Sequence, residues 1–278
     1  MVFILFLKKS IFSRLWSNKY TRPAIRLLSR ENISLENAKF IFLIGCYNSG
    51  TTLLRDILAN SEQIDKMLYE KEGVHYTNAL PIPDTSGFDR LWVHDPKYPV
   101  NYSLGHTDFK NLKRDWECLY PADVTKYKIE KSITNLTRLE WLLENFQCPK
   151  FIHIKRDPVA VIEGILRQAK PKEINRGFYN VDSCVAQLQD TYELLEIFKA
   201  KKEIDLFEIE YEELCANTKL CLKDICNFLS IDDGWVEREL YNHKSEVITI
   251  ENKNETSYQN LTEDDINKIK NIFHFYDV

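Results

Sequence analysis

Asn48-Ser49-Gly50-Thr51-Thr52 is the stretch whose residue types and placement most directly suggest chemistry. It stands between an apolar run, residues 40–45, and a segment with helical spacing, residues 53–58. Small and hydroxylated residues at such a junction leave backbone N–H groups open at a helix N-terminus, where those donors and the helix dipole attract an anion. The turn is therefore expected to cradle a phosphate. An ATP-binding loop of this kind carries a lysine just after its second glycine to reach the β- and γ-phosphates. Here Thr51 follows Gly50, which argues against a nucleotide kinase or ATPase. Arg156 is the second chemical landmark. It ends another short apolar run, residues 149–155, and Asp157-Pro158 leads from it into a helical run over 159–167. A guanidinium fork suits a phosphate bidentately, although pairing with Asp157 or another nearby carboxylate is the competing expectation.

These residues need elements to hold them. Phe40-Ile41-Phe42-Leu43-Ile44 is short, β-branched and aromatic, as in a strand buried on both faces of a parallel sheet. Residues 149–155 have the same character, and Pro158 fits the first turn of a helix, where its missing N–H costs nothing. Both landmarks then lie at carboxyl ends of strands, the edge where open α/β sheets bind ligands. Further helical patterns cover about 180–201, 218–229 and 263–275, with a strand over 206–210. Alternating strands and helices predict an α/β fold: a three-layer domain with a mainly parallel central sheet. We expect this domain over 37–278, preceded by a basic and apolar helical segment over 1–36. Within it, 81–123 is rich in proline and aromatics without clean periodicity and is expected to be an irregular acceptor-side insert. Trp92, Tyr98, Tyr102, Trp116 and Tyr120 either stack on an acceptor there or form the insert's own small core.

Four pieces now stand in order: Ser49-Gly50-Thr51-Thr52, Glu130-Lys131-Ser132, residues 150–158, and Ile209-Glu210-Tyr211-Glu212-Glu213-Leu214 with the helix that follows. In these the chain resembles the sulfotransferase family, which draws its sulfuryl group from 3′-phosphoadenosine 5′-phosphosulfate (PAPS). The likeness spans about 39–232, with a fainter echo at Leu261-Thr262-Glu263-Asp264. In motif style it is nearer to the bacterial, tyrosylprotein and carbohydrate enzymes than to the small cytosolic phenol type. The resemblance implies a P-loop-like domain and a PAPS-dependent enzyme that releases adenosine 3′,5′-bisphosphate (PAP). The implied acceptor is a hydroxyl, with saccharides and glycolipids among the candidates. By the same resemblance Ser49, Gly50, Thr51 and Thr52 hold the 5′-phosphosulfate, Arg156 the 3′-phosphate, Tyr211 lies near the adenine side, and Lys131 neutralises charge at the transferring group. Glu72, in Glu70-Lys71-Glu72-Gly73-Val74-His75, is the candidate base for the acceptor proton, with His75 as its alternative.

Two positions depart from the family pattern. Asn48 stands where a lysine or arginine is usual, and Gly164 where a serine contacts the 3′-phosphate. Loss of a positioned donor to a developing oxyanion costs about 2.7–4 kcal/mol, and Lys131, Arg55 and Lys71 are the substitutes on offer. The alternatives to an active enzyme are a PAPS- or PAP-binding relative with weak or no catalysis, a sulfotransferase-like scaffold, and a P-loop nucleotide kinase.

Composition narrows the remainder. With 278 residues and 44% hydrophobic content, the chain can bury one sizeable core. A net charge of −5, without an arginine-rich patch, disfavours nucleic acid as a partner. Seven cysteines without metal-type spacing suggest neither a zinc site nor a disulfide framework, and a reducing, cytoplasmic compartment fits them. Residues 1–7 are apolar but too few to span a bilayer. Residues 2–16 have the pattern of an amphipathic helix, which either lies in a membrane interface or packs on the domain or a partner subunit. Oligomeric state is not legible in the sequence.

Overall fold

The computed structural model describes residues 11, 15–16, 20–28, 35–67, 72, 77, 91, 106–121, 123, 125–175, 177–200, 204–242 and 244–274. Its centre is β1, Phe40–Ile44, whose five residues are all buried. Four more strands flank it: β2 (Ile64–Lys66), β3 (Tyr127–Lys131), β4 (Lys150–Lys155) and β5 (Asp205–Glu210). They form a five-stranded sheet in the order β2-β3-β1-β4-β5. All four pairings are parallel, with Leu43 of β1 level with Lys131 of β3 and Ile44 level with His153 of β4. From β1 the chain travels to the β2 edge, returns through β3, and then crosses to β4 and β5. The connections thus diverge at β1 and β4, which creates a crevice at their carboxyl ends.

Alternation along β1 assigns its two faces. Phe40, Phe42 and Ile44 join Trp116, Tyr120, Phe146, Phe151 and Phe198 in an aromatic core. There Phe146 stands edge-on to Phe40 and Phe42, with ring centroids 4.8 and 5.0 Å apart. Ile41 and Leu43 face the other layer, formed by Leu54, Ile57 and Leu58 of the helix after β1 and by Leu222, Ile225 and Leu229 of a later one. Burial of each such side chain contributes about 1.5–3 kcal/mol.

The expected helices appear with small shifts at their ends. After α1 (Arg22–Leu28) come α2 (Thr51–Leu58), α3 (His106–Glu117), α4 (Leu139–Asn145), α5 (Pro158–Arg167) and α6 (Val181–Lys199). Later come α7 (Tyr211–Ala216), α8 (Thr218–Leu229), α9 (Asn254–Tyr258) and α10 (Glu263–Phe273), with a single helical turn at Pro171–Ile174 after α5. The irregular reading of 81–123 needs correction over its last part, because α3 is a regular helix. Trp116 and Tyr120 lie in the core beneath the sheet, where Tyr120 Oη donates to the Ile129 carbonyl at 2.9 Å. They are unavailable to an acceptor. Trp92, Tyr98 and Tyr102 lie outside the described residues.

At the N-terminal end Trp16 is 2% exposed and belongs to the same core. Arg22 donates to its carbonyl, and Arg26 of α1 donates from Nε to Asp115 of α3 at 2.7 Å. This end of the amphipathic pattern therefore packs on the domain. Residues 1–10 and 12–14 lie outside the described residues.

Candidate active site

The turn between β1 and α2 is built to leave donors open. Ser49 is 1% exposed, and its hydroxyl donates back to the Cys46 carbonyl at 2.8 Å, so that hydroxyl is spent on the turn itself. Gly50 is the N-cap of α2, with φ 101 and no side-chain cap. Glycine is needed there twice over: the backbone is left-handed, and an added Cβ would stand 2.9 Å from Cδ2 of Tyr211. The Leu54 amide donates to the Gly50 carbonyl. The amides of Thr51, Thr52 and Leu53 precede it, at the positive end of the helix.

A cleft of about 490 Å³ opens over this helix end. Gly50, Thr51, Thr52, Lys131, Arg156 and Tyr211 all line it, which brings most of the expected residues together. Lys131 is the last residue of β3, and its Nζ lies 2.5 Å from Glu72 Oε1. The two side chains are 9% and 15% exposed, so the pair is partly withdrawn from water. His75 and Lys71 lie outside the described residues. Arg55 does not serve as a cleft cation: it is buried and bound through Nε and Nη2 to Asp56.

Arg156 sits at the end of β4, and the competing pairing with Asp157 does not form. Asp157 instead caps α5, accepting from the Ala160 amide at 2.8 Å through Oδ1 and from Tyr258 Oη at 2.8 Å through Oδ2. Pro158 occupies the first turn of α5, as expected. The guanidinium is held from three sides. Its Nε donates to Asn254 Oδ1 at 2.9 Å, its Nη1 donates to the Asn48 carbonyl at 2.7 Å, and its Cζ lies 4.3 Å from the centre of the Tyr211 ring. Tyr211 is fixed in turn by donation to the Glu251 carbonyl at 2.8 Å, and burial pushes its phenol pKa up. The side chain of Asn48 and the backbone of Gly164 meet at the same end of the cleft.

Sequence reasoning does not find Gln168 and Lys253, which line this cleft, or Asn254, which holds Arg156. Gln168 follows the end of α5, and the other two stand where a loop enters α9. Nothing in their local sequence separates them from ordinary polar loop residues.

A larger cleft, about 1000 Å³, opens on the far side of Arg156, between β4, β5 and α6. Its central charges are mutually satisfied. Glu208 accepts from Lys199 at 2.7 Å and bonds to His153 Nδ1 at 3.0 Å. Burial opposes ionisation of Glu208, yet the hydrogen bonds from His153 and Lys199 hold its carboxyl down at about 2. The smaller cleft has the open helix end.

A family model described as the sulfotransferase family matches residues 41–237. Similar solved structures include the sulfotransferase domain from the curacin biosynthetic pathway, at 18% identity and TM-score 0.50, covering 84% of this chain and 91% of that one. Sulfotransferase STF1 from Mycobacterium tuberculosis H37Rv is similar at 14% identity and TM-score 0.52, covering 98% and 84%. STF9 from Mycobacterium avium is similar at 12% and 0.54, covering 92% and 79%. These structures share the fold. No curated protein sequence matches the chain.

Proposed function

Because the chain belongs to the sulfotransferase family, we propose that it moves a sulfuryl group from PAPS to an acceptor hydroxyl and releases PAP. The observation that carries this reading is the single cleft in which the open N-terminus of α2, the guanidinium of Arg156 and the ammonium of Lys131 meet. PAPS has two separated anionic ends, and this cleft offers cationic or N–H donors at two separated places. In this reading the amides at Gly50, Thr51 and Thr52 hold the 5′-phosphosulfate, on a turn that Ser49 braces by donating from its amide and hydroxyl to the Cys46 carbonyl. The Arg156 donors not used by Asn48 and Asn254 hold the 3′-phosphate, and Tyr211 borders the nucleoside.

Sulfuryl transfer, like phosphoryl transfer, needs in-line placement and charge stabilisation more than covalent catalysis. The acceptor oxygen forms a bond to sulfur as the bond from sulfur to the 5′-phosphate oxygen breaks. Lys131 meets the charge on the transferring group and leaving oxygen. Glu72 receives the acceptor proton, with His75 as the alternative base. Their ion pair holds both groups beside the cleft before substrate arrives. The acceptor is a small molecule, for which motif style favours a saccharide or glycolipid. We place the protein in the cytoplasm on the odd number and the spacing of its seven cysteines. Among the described residues no helix is long and apolar enough to cross a membrane. Peripheral membrane contact is assigned to the segment ahead of Leu15.

Melting the protein with PAP, ATP or 5′-AMP tests the donor. A ligand present at a hundred times its Kd adds about 2.7 kcal/mol of stability, so PAP should raise the melting temperature most. A larger shift with ATP would favour the nucleotide kinase and contradict this account. Labelled PAPS with a panel of hydroxyl acceptors then separates an enzyme from a binder: transfer supports the proposal, and PAP binding without turnover supports the weakened relative.

A further inference from the structure

Asn48 adopts φ 64, a left-handed conformation that asparagine tolerates better than most residues. Its amide is committed to α5. Oδ1 accepts from Gln168 Nε2 at 2.7 Å, while Nδ2 is buried without a hydrogen-bond partner. The side chain lies against Gly164, where an added Cβ would stand 2.7 Å from Asn48 Cγ and 2.8 Å from both its Cβ and Nδ2. Gly164 is inside a helix, where glycine is less favourable than alanine. Space for Asn48 explains it. A left-handed non-glycine residue, a helical glycine and an unpaired buried amide are each unfavourable alone, and here all three occur at one contact. That contact fixes the peptide of Asn48, whose carbonyl accepts from Arg156 Nη1.

We propose that Asn48 and Gly164 form a latch that orients Arg156. The amide of Asn48, keyed into the slot at Gly164 and held by Gln168, sets the direction of its own carbonyl, and that carbonyl sets the guanidinium over Tyr211. Asn48 is then a positioning residue for the anion site and brings no donor to the reacting group. The identity of the anion rests on the proposed function, but the latch itself does not.

The test is a cycle of Gly164→Ala, Asn48→Gly and the double variant. Melting temperature is measured on the free proteins, and affinity by titration with PAP and with 5′-AMP. Asn48→Gly permits the left-handed backbone while emptying the slot. Gly164→Ala should lower the melting temperature and weaken PAP about tenfold, within the coupling range of residues in contact, with a smaller effect on 5′-AMP, which lacks the 3′-phosphate. Asn48→Gly alone should also weaken PAP, because the emptied slot no longer sets the carbonyl, and the double variant should regain melting temperature over Gly164→Ala without regaining PAP affinity. Parental PAP affinity in Gly164→Ala or in the double variant, or a double variant no more stable than Gly164→Ala, overturns the latch. If the parent protein binds no PAP, the nucleotide reading fails, and the melting temperatures alone decide the latch by the same criterion. If Gly164→Ala does not fold, Gln168→Ala takes its place, since it frees Asn48 Oδ1 without adding an atom. It should weaken PAP at a near-parental melting temperature, and unchanged affinity overturns the proposal.

Discussion

At the residue scale the account rests on Lys131 and Glu72, whose side chains meet at 2.5 Å beside the cleft. If Lys131 acts on charge that develops during transfer, Lys131→Ala should depress turnover while leaving PAP affinity within a few-fold, the mark of a transition-state interaction. Glu72→Gln keeps the shape and removes the base, so turnover should fall by about 10²-fold or more. Because the two groups touch, losses in the double variant should not add. Steady-state kinetics beside PAP titration checks all three statements, and near-parental turnover in Glu72→Gln would move the role to His75. Legibility differed sharply among residues. The phosphate turn and Arg156 were readable because each sits where a strand pattern meets a helix pattern. Asn254 and Gln168 were not, because their work depends on contacts with Arg156 and Asn48, 98 and 120 positions away. The consequence of Asn48 was legible only as a missing cation; its fit against Gly164 needed coordinates.

At the element scale, β1, β4, β5, α5, α6 and α8 were visible from apolar runs and helical spacing, whereas β3 was not. Its sequence, Tyr-Lys-Ile-Glu-Lys, looks half polar, yet Lys128 and Glu130 are both buried. Lys128 Nζ donates to Asp65, to the Pro121 carbonyl and to the Asp123 carbonyl, while Glu130 accepts from Ser132 and Asn135. Buried polar groups whose hydrogen bonds are satisfied inside the fold erase the hydrophobic signal on which periodicity depends. The β4 and β5 pair offers a pH test of the same kind of burial. His153 is buried beside Glu208, and burial, the largest influence, holds its pKa below the ordinary value. The unfolded chain then takes up a proton as pH falls through about 6.5 that the folded protein refuses, so stability should be lost on acidification in that range. Melting curves between pH 7.5 and 5.5 should show a decline in the parent protein that is reduced in His153→Gln; equal slopes would contradict the assignment.

At the scale of the whole molecule, topology unites the site. The sheet order places β1 beside β4, so a turn near residue 50 and an arginine at 156 share one crevice although 108 positions separate Asn48 from Arg156. Alternating patterns were enough to predict the parallel α/β domain, while the strand order and the packing of α3 beneath the sheet depended on long-range contacts that one sequence does not display. The central claim is that this crevice binds a nucleotide carrying both a 5′ and a 3′ anion, the latter on Arg156. Calorimetric titration of PAP and 5′-AMP into the parent protein and Arg156→Ala tests it most directly. Charge-assisted hydrogen bonds contribute about 1.5–3 kcal/mol each, so the variant should lose about 10- to 100-fold in PAP affinity while its affinity for 5′-AMP changes little. Equal losses for both nucleotides, or no loss for PAP, would contradict the account.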